Sequence, residues 1–241
     1  MSRKRPGLTI FETLLSLALF VGLILGGFDF FSRARRMFFR LRTSQDTGER
    51  VQSALDRIRL DVLDAGRGLA DPIRREILQA IEPTEQGPIF RCAELAVPLA
   101  LGAPAGTTEI TVAEGEGFAA GQEVCLVDRS QAECGVLRSA EGPALSLAAP
   151  LQAAFSGADT TVILVRRIFY PWPSGDGILR RKVNAASAQP LMEEVAAFRC
   201  AYGKAANLVW VGIRPAADPE NEYAVTIFPK NAALARTVQE P

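Results

Sequence analysis

The chain has 241 residues, 27 Lys and Arg against 27 Asp and Glu, no His and four Cys, a length that suits one domain with an appendage. Without histidine, Ser-His-Asp and Cys-His catalysis and His-ligated zinc are excluded. The zero formal net charge makes nucleic acid an unlikely partner. That balance hides an asymmetry. Residues 1–66 hold 11 basic and 7 acidic side chains, residues 67–241 hold 16 and 20, and seven of the 13 Phe lie at or before Phe39. The chain is a basic, Phe-rich stem followed by a mildly acidic body.

The stem opens with the basic segment Met1-Ser-Arg-Lys-Arg-Pro-Gly7, then Leu8-Thr-Ile-Phe-Glu12, then sixteen uncharged residues, Thr13 to Phe28, before Asp29. As a helix the uncharged run covers roughly 24 Å, short of the roughly 30 Å hydrocarbon core. Adding Leu8–Phe11 and Phe30-Phe31 makes it long enough but places Glu12 in the membrane, where an ionised carboxylate costs about 2.5–3.5 kcal/mol. A secretory signal would want a small-x-small cleavage site, and Gly26-Gly27-Phe28-Asp29-Phe30 is a poor one. A plain anchor fits the length and leaves Glu12 unexplained. Gly22-x-x-x-Gly26 permits close helix approach, although small residues are common in membrane helices in any case. Arg33, Arg35, Arg36, Arg40 and Arg42 follow the apolar run, against three basic residues before it. That count alone would leave the long C-terminal part in the cytoplasm. The cysteines and the leader point outward, and the arginines then become ligands for lipid headgroups or acidic neighbours.

Beyond the membrane run, Met37, Leu41, Ser44, Gly48, Val51, Leu55, Ile58, Val62 and Ala65 alternate at spacings of four and three. The stripe is fully apolar from Val51 onward, with Asp56, Arg57, Arg59, Asp61 and Asp64 expected on other faces. Gly66 and Gly68 stop the helix. One helix from about Leu8 to Ala65 is expected.

A basic leader ending in Gly, an apolar residue, Thr, two apolar residues, Glu and a long apolar helix together resemble the class III signal of type IV pilins and pseudopilins. The resemblance implies cleavage by a prepilin peptidase between Gly7 and Leu8, methylation of the new N-terminus, and Glu12 as the fifth mature residue; Leu8 stands where the family usually has Phe. It also implies a job for Glu12. The carboxylate would pair with a neighbouring subunit's amine, offsetting two desolvation penalties at once and fixing subunit stagger. In the same resemblance, the glycines would let the stem stretch when it passes from membrane to fibre. Further along, Asp56-Arg-Ile-Arg-Leu-Asp-Val-Leu-Asp-Ala-Gly66, Arg167-Ile-Phe-Tyr170, Gly177-Ile-Leu-Arg180 and Gln189-Pro-Leu-Met-Glu-Glu-Val195 follow the order seen in large minor pilins of the W type and in J-type pseudopilins.

From about Leu69 short β-rich runs alternate with Gly, Pro and acidic turns. Strands are expected at 78–81, 109–112, 123–127, 135–138, 144–147, 160–170, 178–182, 198–202, 208–213 and 223–228, with a short helix over 190–198. The fold class is therefore α+β: a long N-terminal helix, transmembrane in one half and amphipathic in the other, packed on an antiparallel β-rich head. The divisions are a leader (1–7), a transmembrane half (8–31), an amphipathic half (32–66) and a head (67–241), with 117–170 as a small β-barrel-like insertion.

An even number of cysteines on an exported chain favours disulfides. Four cysteines allow three connectivities. Cys125 and Cys134, ending one strand and opening the next, are placed for a hairpin bridge, with which Cys92 would pair with Cys200. A Cys92–Cys125 bridge or buried free thiols are the alternatives. Asp218, Glu220 and Glu222 read as a solvated turn, since EF-hand spacing is absent; some pseudopilins carry calcium in such a place. Arg166-Arg167 and Arg180-Arg181-Lys182 read as a solvated face or a small basic patch. No P-loop, dinucleotide fingerprint or Gly-x-Ser-x-Gly occurs, and neither a cofactor nor a metal is expected.

The resemblance implies a non-enzymatic minor pilin or pseudopilin of the inner membrane, N-terminus cytoplasmic and head periplasmic, which primes or tips a fibre at the cell surface. Its partners would be other pilin subunits, the prepilin peptidase, the inner-membrane assembly platform and the lipid bilayer. A type IV pilus comes first and a type II secretion system second. A membrane-anchored periplasmic binding or adhesive module that never polymerises is the alternative of another class.

Overall fold

The computed structural model describes residues 10–157, 159–172 and 175–237. It is an α+β chain with a long N-terminal helix and an antiparallel, sheet-rich head. Helix α1 runs Ile10–Asp64. By contact density the chain divides into two units, Met1–Glu49 and Arg50–Pro241.

In the first unit the helix is uncharged on every face over Thr13–Phe28, and its described apolar side chains are exposed, from Ile10 and Phe11 through Leu25 to Phe31. Its best 18-residue window has a mean hydropathy of 2.2, long and apolar enough to cross a membrane. A helix that is hydrophobic all round needs an apolar surrounding that its own chain does not supply.

In the second unit α1 becomes one-sided. Val51, Ala54, Leu55, Ile58, Val62 and Ala65 are buried, the 3-4 stripe of the sequence widened by Ala54. A core of 27 buried residues forms around this face, drawing in Leu69, Phe90, Tyr170, Phe198, Val211 and Ile213 among others. The helix ends at Gly66-Arg67-Gly68, where both glycines have positive φ (88° and 71°). A Cβ on Gly66 would sit 2.9 Å from the backbone of Ala232, and one on Gly68 2.6 Å from the Ala93 side chain. Only glycine satisfies both conditions, conformation and space.

Helix α2 (Ala70–Arg74) follows. A nine-stranded sheet then comprises β1 (Ile81–Glu82), β2 (Ile89–Pro98), β3 (Glu109–Thr111), β4 (Glu123–Val127), β5 (Ala132–Glu141), β6 (Ala144–Leu147), β7 (Thr161–Phe169), β8 (Leu179–Val183) and β9 (Gln189–Met192). Its order is β1-β2-β7-β4-β5-β6-β3, with β8 on β7 and β9 on β8. The far end curls back. Leu99 bridges Val112, with Ala100 N–H donating to Thr111 O (2.7 Å) and Ala113 N–H to Pro98 O (3.0 Å). Strands β2, β7, β4, β5, β6 and β3 thus close on themselves around a second core that includes Val97, Ile110, Val124, Leu137, Leu145 and Val162. This subdomain begins near Val97, twenty residues before the expected start at 117, because the second half of β2 supplies one wall.

Strands β4 and β7 separate the two cores. Val124, Leu126, Val162 and Leu164 face the second core, while Cys125, Val127, Ile163 and Val165 face the first. Burial on both sides explains why Glu123-Val-Cys-Leu-Val127 and Thr161-Val-Ile-Leu-Val165 read as continuous apolar runs.

A three-stranded sheet, β10 (Val195–Gly203), β11 (Leu208–Pro215) and β12 (Tyr223–Ile227), packs its inner face on the first core. Helix α3 (Lys230–Thr237) returns to the stem, where Asn231 Nδ2 donates to Leu63 O (2.7 Å). Two expectations fail here. Residues 190–198 form β9 and the start of β10, because Pro190 sits in register with Arg180 and Glu194, at φ 57°, turns the chain. Strand β2 was not expected, since Arg91 and Glu94 interrupt its apolar pattern.

Candidate functional site

The candidate assembly segment begins at the N-terminus. Gly7 and Leu8 lie outside the described residues. Glu12 occupies the first turn of α1, where a carboxylate interacts favourably with the helix dipole. A Cβ built on Gly22, Gly26 or Gly27 would touch nothing within 4 Å, so this side of α1 is open to close approach. After the apolar run, Arg33 pairs with Asp29 (2.7 Å), Arg36 Nε donates to Ser32 O (3.3 Å) and the Arg35 guanidinium lies 5.6 Å from the centre of the Phe39 ring. These contacts are local to the helix.

The end of the stem is locked to the head by a charge. Asp61 is 6% exposed, not on the solvated face expected for it. Its carboxylate accepts from Arg181 Nε (2.6 Å) and from the other arm of the same guanidinium (3.0 Å), and from the Tyr170 hydroxyl. Arg57 Nε stands 3.8 Å away, one turn earlier on α1. A buried carboxylate held by a bidentate guanidinium and a phenol has its oxygens satisfied. Burial, reinforced by the charge and hydrogen bond of Asp61, pushes the Tyr170 phenol far above the usual tyrosine range. Asp61 belongs to the same face as Ala54, seven residues before it, and Ile58, three before. That spacing was the signal available in the sequence.

A second buried charge, Arg91 at 8% exposed, reaches Glu82 (2.5 Å) and Glu123 (3.1 Å) and donates to Gln79 O (3.3 Å). The arginines read as a solvated face or patch are paired as well. Arg166 meets Glu94 (2.9 Å), Arg167 lies 3.7 Å from Glu123, Arg180 binds Asp176 and Arg181 binds Asp61.

Cys125 and Cys134 face each other across β4 and β5 and form a disulfide. Cys92 and Cys200 are free thiols, which corrects their expected pairing. Cys92 lies in β2 opposite Arg166 of β7, and Cys200 lies in β10 of the other sheet, opposite Val211. Burial pushes the Cys200 thiol up to about 12 and raises Cys92 also, with Arg166 opposing the rise. Both carboxylate oxygens of Asp218 accept from Asn221 Nδ2 (2.9 Å), and Glu222 stands 4.0 Å from Arg214. Among the described residues no group of three or more Cys, Asp or Glu is arranged to hold a metal.

No family model and no curated protein matches the chain. Among solved structures, three phage tailspikes share a small part of it. The tailspike gp49 of Pseudomonas phage LKA1 is 22% identical over 29% of this chain and 14% of its own, with a TM-score of 0.27. The tailspike gp61 of Pseudomonas phage phi297 is 14% identical over 31% and 14%, TM-score 0.28. The Gp54 tailspike of Acinetobacter baumannii bacteriophage AP22 is 12% identical over 32% and 15%, TM-score 0.28. The chain spans about one seventh of the length of each.

Proposed function

We propose that the chain is a minor pilin or pseudopilin, a non-enzymatic subunit that primes or tips a pilus-like filament. The observation that carries this reading is the first half of α1, uncharged on every face over Thr13–Phe28 and exposed, with the carboxylate of Glu12 in its first turn. An anchor needs the apolar surface and has no use for the acid. A filament subunit uses both: the surface packs in lipid and later against other stems, and the acid receives a neighbour's N-terminal amine in low dielectric. The stem then carries a head with a hairpin disulfide, a bond that persists in oxidising compartments. On this reading the leader Met1–Gly7 is removed by a prepilin peptidase, and the subunit waits in the inner membrane, head outward, for the assembly platform. A type IV pilus is the first candidate machine and a type II secretion system the second.

The test is incorporation. Glu12→Ala and Glu12→Val should leave the membrane pool of the protein unchanged and lower its amount in sheared fibres at least tenfold, measured by immunoblot of both fractions. Equal incorporation of either variant would remove the assembly role of Glu12.

A further inference from the structure

Strand β10 is an end strand of its sheet, paired to β11 on one side only. An open groove of about 720 Å³ runs beside it, lined in sequence by Phe198, Arg199, Cys200 and Ala201. Successive residues of a strand point to opposite faces, so a cavity touching four in a row lies along the strand's edge rather than over a face. The opposite wall is the turn at Glu85–Gly87, and both tryptophans of the chain, Trp172 and Trp210, complete the lining. Trp172 packs on the side of the first core together with Phe198 and Cys200. Trp210 is in register with Ala201 on the outer side.

Within the groove, residues 198–201 make no backbone hydrogen bond to any described residue other than those of β11. Proteins guard such edges with proline, lysine, bulges or covering segments. Here the bulge lies at Val195–Ala197 and Val195 N–H is taken by Gly177 O, so the protection stops where the groove begins. The nine residues of β10 hold no proline and a single charge, Arg199, which is exposed and has no ion pair among the described residues.

We propose that this groove is a strand-addition slot that takes an extended polypeptide segment of a partner chain, with an acidic side chain placed against Arg199. A row of alternating backbone donors and acceptors calls for another extended backbone about 4.8 Å away. The two tryptophans then cover alternate side chains of the incoming strand, one on each face. The slot does not depend on the filament reading, because a permanently anchored module would use it equally.

The full chain in detergent micelles allows a direct test, since its only tryptophans line the groove and their emission reports on occupancy. The probe is a capped heptapeptide of alternating valine and threonine with aspartate at its centre. Its expected effects are a saturable emission change and amide exchange at 198–201 slowed at least tenfold. The same peptide with alternate N-methylated amides should bind at least tenfold more weakly. Arg199→Glu should weaken the aspartate probe about fivefold and regain binding of a central-lysine version. No saturable change up to about 1 mM peptide, or equal binding of the N-methylated form, overturns the proposal. So does protection at the β12 edge instead of β10, or a response to a linear oligosaccharide with none to peptide.

Discussion

At the residue scale, one buried carboxylate adds a polar link to the apolar packing of the stem on the head. Removing Asp61 would leave the buried Tyr170 hydroxyl and the partly buried Arg181 guanidinium without their acceptor, at a cost of about 1–3 kcal/mol for each unsatisfied group. Asp61→Ala should lower the stability of the head by that amount in urea denaturation, and Tyr170→Phe by about 1.5–3 kcal/mol, the worth of a hydrogen bond to a charged group. Because both side chains act on the same oxygens, the double variant should lose less than the sum. The same region sets the alkaline limit. Cys200 keeps its proton to about pH 12 through burial, and Tyr170 keeps its proton higher still through burial and the Asp61 charge. In the unfolded chain a thiol releases its proton near pH 8.5 and a phenol near pH 10. Below about pH 8.5 both states hold both protons and stability does not respond. Above it the unfolded chain gives up protons that the native chain retains, so stability falls as pH rises, by about 1.4 kcal/mol per unit for each such group. Urea midpoints at pH 8 and pH 10.5 should show this fall, and Cys200→Ala should make it shallower. The sequence carried only part of this, the spacing that sets Asp61 on the face of Ala54 and Ile58. Asp61 has the charge of a surface residue, and its burial is decided by Tyr170 and Arg181, more than a hundred positions away.

At the element scale, the stem's inner half resembles any core helix in its energetics. Ile58, fully buried, should cost about 2–5 kcal/mol on truncation to Ala. Gly66→Ala meets two penalties, a left-handed backbone and a Cβ pressed on Ala232, and should destabilise the head more than an exposed Gly→Ala change, read from the same denaturation curves. The disulfide closes a short loop, nine residues apart in sequence, so removing it as Cys125→Ala with Cys134→Ala should cost under about 3 kcal/mol. The elements that were legible are those whose local pattern agrees with their environment. The apolar stripe of α1 from Val51 is one, and the continuous runs of β4 and β7 between two cores are another. Strand β2 was hidden because Arg91 breaks its pattern, and Arg91 is tolerated inside through Glu82 and Glu123, supplied by other strands, and the Gln79 carbonyl. The helix expected over 190–198 followed good helix formers, and pairing with β8 and β11 outweighed them.

At the scale of the whole molecule, the chain couples a helix that needs an apolar surrounding to a head that is complete in its own cores. The sequence displayed that division openly, in the skew of Phe and charge and in the change of texture near Leu69. It did not display the part that the second half of β2 plays in the closed six-stranded subdomain, nor its last contact, which joins Leu99 to Val112 across a turnaround no local pattern marks. Nor did it display the open edge of β10, which exists only because nothing described pairs there. The filament reading rests on what happens at the start of the stem, and one measurement reaches it most directly: the N-terminal residue and intact mass of the native polypeptide purified from membranes. The account predicts a chain that begins at Leu8, methylated on its amine and lacking Met1–Gly7. A chain that still begins Met1-Ser2-Arg3 would contradict it.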